Sequence, residues 1–302
     1  MFGAPLTVPA LFDMQCDMVV AINVFEDVVF LQRQLENIHQ ALVRVNYRVF
    51  LHCSVSFYNT IAKDPLFVTH PRLHICSPPF DKRRFHGSLL QGIMMCMLEA
   101  RQRYVFDVFL ILSSRTFFHR PLALEDAYTL PRNYGFAPEA NHFPTDWWWP
   151  HFTSTKLCHW VQLQPNLRLG MSMHEGLALP VQSVDYVLNF AEVHTDIFDD
   201  LFAYELCVEE MAIQTILSNA ASEQNVGPYF FWDWGSGSDE YVIVDKSFVW
   251  KVARTLDGLQ RAHVQFYGSV RSNARWSLFI KACLVCAVTV CLLLRPMLPY
   301  KH

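Results

Sequence analysis

The chain has 302 residues, of which 52% are hydrophobic and only 17% charged, enough apolar surface for a large core, which excludes a disordered protein. Its formal net charge of −4 provides no basic face, so nucleic acid is not expected among its partners. The length suits one α/β domain.

From the N-terminal side, "MFGAPLTVPALFDMQCDMVV" lacks a basic segment followed by an uninterrupted apolar one, so no secretory signal is expected. "DMVVAINVF" (17–25) is a short β-branched run and predicts a buried strand. The apolar periodicity of "EDVVFLQRQLENIHQALVRV" predicts a helix after it. "YRVFLHCSV" (47–55) and "RLHICS" (72–77) read as a second and third strand, a β-α-β opening that argues for a mainly parallel sheet. After the turn-forming "PPFDKRR", "HGSLLQGIMMCMLEARQR" predicts a helix with an apolar stripe from Leu89 to Leu98. "FDVFLILSS" (106–114) is continuously hydrophobic, as expected of a central strand covered on both faces.

"PRNYGFAPEANHFPTDWWWPHFTST" is rich in proline and aromatics without regular periodicity, which suits a binding loop. Trp147, Trp148 and Trp149 cannot all face one side of a regular element, so one is expected exposed or in a cleft. "GLALPVQSVDYVLNF" predicts strand, turn and helix. "CVEEMAIQTILSNA" (207–220) sets Glu209 and Glu210 immediately before a helix, a position that the helix dipole alone favours for carboxylates.

At the other end, 13 residues without a formal charge run from Ala282 to Leu294, or 19 if Lys281 snorkels. The preferred reading is a membrane span over 276–295 with a short tail at 296–302; a buried C-terminal helix is the alternative. Residues 1–275 form the expected α/β domain.

Several chemistries find weak support. Cys16, Cys53, Cys76, Cys96, Cys158 and Cys207 lack the paired spacing of a zinc site and read as single buried thiols. Cys283 and Cys286 sit in an apolar run without a second pair. "GMSMHEG" (170–176) brings Ser172, His174 and Glu175 close in sequence but lacks the nucleophile-elbow pattern. No phosphate-binding glycine motif is present, and "GSGS" (235–238) reads as a turn. His194, Asp196, Asp199 and Asp200 in "HTDIFDD" contain hard-cation ligand types, but a solvated acidic turn before a helix explains them with fewer demands.

Taken in order over about residues 17–270, these pieces resemble the core-2/I-branching glycosyltransferase family, which includes β-1,6-N-acetylglucosaminyltransferases and peptide O-xylosyltransferases. "VFLHCS" resembles the family's Ile-His-x-Asp strand end, and "HGSLLQGIMMCML" its Trp-Gly/Ser-x-Ser-x-Val helix entry. "DVFLILSSRTFFHRPL" resembles Asp-Tyr-Phe-x-x-Leu-Ser-Gly-x-Asp-x-Pro-Leu, "LALPVQSVDYVL" resembles Phe-x-Leu-Ser-Arg-x-x-Val-x-Tyr-Val, and "VEEMAIQTILSNA" resembles Pro-Asp-Glu-x-x-x-Gln-Thr-Ile-x-x-Asn. The late "FWDW" is similar to a strand ending in Asp-Trp.

The resemblance implies a GT-A-like nucleotide-sugar transferase domain, normally in the Golgi or endoplasmic reticulum. It implies inverting transfer of N-acetylglucosamine or xylose from a UDP-sugar to a glycan or protein hydroxyl. Glu210 falls on the catalytic base, with Glu209 beside it, and Ser54 and Ser113 fall on the donor-facing strand ends. Trp147, Trp148 and His174 are acceptor-cleft candidates by position. No cofactor is implied: basic side chains stabilise the leaving diphosphate in place of a metal.

The departures are Ser54 where the family has Asp, Thr116 where the signature has a second acid, and Pro180-Val181 where it has Ser-Arg. "VQFYGSV" (264–270) carries none of the family's diphosphate-binding cations, for which Arg261, His263 or Arg271 are the substitutes. A catalytically inactive, membrane-attached binding protein is the alternative function.

Overall fold

The computed structural model describes residues 14–24, 27–83, 85–122, 152–164, 169–170, 174–218 and 249–251. It is an α/β fold around a mixed, mostly parallel sheet. Strand β1, Met18–Val24, leads into helix α1, Val28–Ala41, whose first turn is capped where Asp27 Oδ1 accepts from the Phe30 amide at 2.9 Å. β2, Tyr47–Cys53, returns parallel to β1, with partners running from Met18 and Tyr47 to Val24 and Cys53. The short helices α2, Val55–Ile61, and α3, Pro65–Val68, then lead to β3, Leu73–Ile75, parallel to β2.

Helix α4, Ser88–Arg103, crosses to the other side of β1, where β4, Val108–Ser113, pairs parallel with it. β5, Thr116–Phe118, α5, Lys156–Gln162, and β6, Ala178–Pro180, follow, and β6 pairs antiparallel with β4. Helices α6, Val181–Val193, and α7, Thr195–Ala203, precede a 3-10 turn, Val208–Glu210, and α8, Ala212–Ser218. β7, Val249–Lys251, pairs antiparallel with β5. The main sheet runs β3-β2-β1-β4-β6.

Two apolar layers explain the unbroken hydrophobic strands. On one face Val19, Ala21, Phe50, Phe109 and Ile111 meet α4, α6, α7 and α8 through Ile93, Met97, Leu188, Phe198 and Ile213. On the other face Val20, Ile22, Leu51 and Leu110 meet α1 through Phe30, Leu31 and Ile38. Because both faces are covered, every second position has no reason to be polar. The buried polar residues of α1 serve the backbone of β5 and of the turn that joins it to β4. Gln34 Nε2 donates to Ser113 O at 2.7 Å and Thr116 O at 2.8 Å, and Asn37 exchanges two bonds with the Phe118 backbone.

The predicted elements from 17 to 114 form where expected, and β4 is interior as its composition demands. Three expectations change. The segment from Gly176 has no turn between strand and helix, because Pro180 both ends β6 and caps α6. "HTDIFDD" is not a turn before a helix: Asp196, Asp199 and Asp200 lie within α7. Asp200 Oδ2 accepts from the Lys156 amide at 2.9 Å and Asp196 faces the Lys156 ammonium at 3.4 Å, so the two carboxylates cap and pair with α5. The six thiols in the described residues are free, but Cys207 is only half-buried rather than buried, and the sulfurs of Cys76 and Cys96 lie 3.7 Å apart. No helix among the described residues is long and apolar enough to cross a membrane, and segment 276–295 lies outside them.

Gly87, at the entrance to α4, lets two backbones touch. Its amide donates to Tyr204 O at 2.8 Å, and a Cβ there would run into the Leu201 carbonyl. Because the obstacle is backbone and cannot rotate away, Gly87→Ala is expected to destabilise the protein by about 1–3 kcal/mol. Urea unfolding of the two forms measures it.

Candidate functional site

The strand order reverses at β1: β2 and β3 build outward on one side of it, β4 on the other. In doubly wound sheets the crevice beyond the carboxyl ends of the strands at this reversal is where ligands bind. Near the carboxyl ends of the three neighbouring strands one register row holds His52 on β2, Asn23 on β1 and Ser113 on β4. Asn23 and Ser113 continue the parity of Ala21 and Ile111, and His52 that of Phe50, so the row belongs to the α4 face.

Asn23 links this row to its surroundings. Its Nδ2 donates to Leu89 O in the first turn of α4 at 2.8 Å, and its Oδ1 accepts from Lys82 Nζ at 3.1 Å. Lys82 also donates to the His52 carbonyl. Among the described residues no carboxylate pairs with this ammonium, and burial lowers it from its ordinary 10.5 to about 8.

His52 is fully buried, its ring 4.1 Å from that of Phe80, and its Nε2 donates to Pro78 O at 3.3 Å, since the carbonyl can only accept. Its Nδ1 has no hydrogen-bond partner among the described residues. Burial first, then the Lys82 charge, pushes the imidazole down to about 3, so it is neutral at physiological pH. Gly92 allows this packing: a Cβ there would meet Asn23 Oδ1 and His52 Nδ1.

A second group stands at the end of β4. The Gly176 amide donates to Ile111 O at 2.7 Å and the Ile111 amide to Leu177 O at 2.8 Å, which fixes the His174–Leu177 turn beside the strand. His174, Glu175 and Glu210 each bring a ligand-type atom within 4.8 Å of the others. His174 lies 3.9 Å from both Glu175, through Nε2, and Glu209, through Nδ1. Glu175 and Glu209 are buried, whereas Glu210 is half-buried. Such a set can hold a cation or hold one carboxylate as a base against an imidazole.

The 3-10 turn aims the two neighbouring glutamates differently, and α8 anchors the turn. Gln214, Thr215 and Ile216 are buried, and Thr215 Oγ1 lies 3.1 Å from both the amide and the carbonyl of Gly170. The Gly170 backbone packs so close that a Cβ would sit 2.6 Å from Gln214 O.

His174, Glu209 and Glu210 therefore come together as one group. Ser54 stands at the end of β2 but is the cap of α2, its Oγ accepting from the Phe57 amide at 3.4 Å. Ser113 Oγ is 2.8 Å from Thr116 Oγ1 across the turn between β4 and β5. Trp147, Trp148, Arg261, His263 and Arg271 lie outside the described residues.

Sequence reasoning passed over Asn23, His52 and Lys82. The parity of "VFLHC" could have singled out His52, because it shares a face with Phe50 rather than pointing outward. Nothing in "DKRR" distinguishes Lys82 from its basic neighbours. No protein-family model matches the chain, and no curated protein matches it.

The depressed histidine and lysine make stability depend on pH. The unfolded chain takes up a proton at position 52 between pH 6.5 and 3 that the folded chain does not. Stability is therefore lost as pH falls from 6.5 toward 3, and Lys82 has the same sign between pH 10.5 and 8. His52→Gln is expected to flatten the acid slope, read as urea-unfolding free energy at pH 7 and pH 4.5.

Proposed function

We propose that the chain is an inverting glycosyltransferase with a GT-A-like domain, transferring N-acetylglucosamine or xylose from a UDP-sugar to a hydroxyl of a glycan or protein. The observation that carries this reading is Glu210, half-buried beside His174 and Glu175 at the carboxyl edge of the sheet that also bears Asn23, His52 and Lys82.

Glu210 takes the proton of the acceptor hydroxyl as its oxygen bonds to the anomeric carbon. The bond from that carbon to the diphosphate breaks on the opposite face, so configuration inverts, and UDP departs with the bond's electron pair. Lys82 supplies a cation toward that leaving charge without a metal, and Arg115, buried in the β4–β5 turn, is a second candidate. Burial of Glu209 beside His174 suits an orienting role, leaving Glu210 to meet substrate.

An inactive, membrane-attached binding protein is the second reading. It is favoured by Ser54 and Thr116, which stand where the family has acids and whose hydroxyls are engaged by a helix cap and by Ser113.

Calorimetric titration of the full chain with UDP and UDP-sugars, with and without Mn²⁺, separates the readings. Metal-independent binding is expected, retained in Glu210→Gln while transfer falls by about 10²–10⁴. Lys82→Ala is expected to weaken UDP about tenfold or more. Binding without turnover in the unaltered protein supports the second reading, and no binding by folded protein overturns both.

Membrane attachment through 276–295 and a Golgi or endoplasmic reticulum location complete the proposal. Glycosylation-site tags at each end with protease protection test the orientation. A tagged domain that stays unglycosylated and protease-accessible in intact vesicles overturns the lumenal assignment.

A further inference from the structure

Beneath the segment that delivers Lys82 is a cluster unrelated to the proposed base. His74 and Cys76, two residues apart along β3 and its extension, share one face of the strand. Cys96 and Glu99, three apart on α4, share one face of the helix. The two faces meet. His74 Nε2 lies 2.5 Å from Glu99 Oε2, Cys76 Sγ lies 3.7 Å from Cys96 Sγ, and ligand atoms of His74, Cys76 and Glu99 are all within 4.8 Å of one another.

We propose that His74, Cys76, Cys96 and Glu99 form a structural site for a soft divalent cation, zinc, that fastens the end of β3 to α4.

The chemistry of the set suits zinc: two sulfurs, an imidazole and a carboxylate are its usual ligands, and four such ligands close a tetrahedron. With Zn–S bonds of about 2.3 Å, tetrahedral sulfurs stand about 3.8 Å apart, close to the spacing of Cys76 and Cys96. His74 and Glu99 must part by less than about 1 Å, since tetrahedral nitrogen and oxygen ligands sit about 3.3 Å apart. The Cys96 sulfur, which now faces Phe50 O at 3.8 Å, turns toward the centre.

The supporting contacts match those that orient metal ligands. Glu99 Oε1 accepts from the Ser77 amide at 2.8 Å, and the His74 ring packs 4.8 Å from that of Phe50. Arg103 Nη2 lies 3.8 Å from Glu99 Oε2 at the rim. Because Cys76 begins the segment that brings Phe80 against His52 and Lys82 to Asn23, a filled site fixes one end of that segment. This inference does not depend on sugar transfer.

The test uses the full chain, purified reduced, stripped with a chelator and titrated with Zn²⁺ and with Co²⁺. One equivalent is expected to raise the thermal midpoint, and Co²⁺ is expected to give a thiolate charge-transfer band. The band identifies the site, because His174, Glu175 and Glu210 offer no sulfur. Cys76→Ser and Cys96→Ser each remove it, and His174→Gln leaves it. If a cysteine variant does not fold, His74→Gln is read instead, with zinc weakened about tenfold or more. Absence of the band, a band that survives both cysteine variants, or a Cys76–Cys96 disulfide in chain isolated without reductant overturns the proposal.

Discussion

Strand β1 is hydrogen-bonded to β2 on one side and to β4 on the other over almost its whole length. Its side chains alternate between the α4 layer and the α1 layer, so Met18, Val19, Val20, Ala21 and Ile22 are all removed from water. A one-residue slip would exchange the two faces and drive Asn23 into the wrong layer. This double pairing fixes the register of three strand ends at once, and the candidate site inherits its geometry from it.

At those ends the chain changes from apolar to polar within one residue, Ile22 to Asn23 and Leu112 to Ser113. His52, one step short of the end of β2, stays neutral because burial removes the water that would solvate its charged form. Among the described residues Lys82 meets carbonyl and amide oxygens rather than a carboxylate, so none of them cancels its charge. An uncancelled ammonium at the reversal point of the sheet is an electrostatic preference for an anion, and buried Glu175 and Glu209 stand with the other polar group at the end of β4. Glycines at 87, 92 and 170 bring backbone and polar tips together at this edge, where any Cβ would separate them.

Strands β1 to β4 and helices α1 and α4 were legible because covered parallel strands are continuous apolar runs and α1 has a period of 3.6 residues, whereas the short α2 and α3 were not. The pair Glu209 and Glu210 was legible as a helix-start feature, and the resemblance assigned Glu210 its role. The misjudged places have local causes. Three aspartates in seven residues read as a turn, yet they lie in α7, where α5 supplies an amide to Asp200 and an ammonium to Asp196. Cys76 and Cys96 are twenty residues apart with no motif between them, and only the crossing of α4 over the strands brings their sulfurs within 3.7 Å.

By itself the sequence determined the α/β class with a mostly parallel sheet, the interior place of β4 and the acidic turn before α8, because hydrophobic period and capping chemistry act over a few neighbouring residues. Only the tertiary structure decided that Lys82 meets Asn23, that His174 meets Glu209 and Glu210, and that His74, Cys76, Cys96 and Glu99 converge. Those meetings depend on strand register and on where helices cross the sheet, and both are set by packing between segments that share no local pattern.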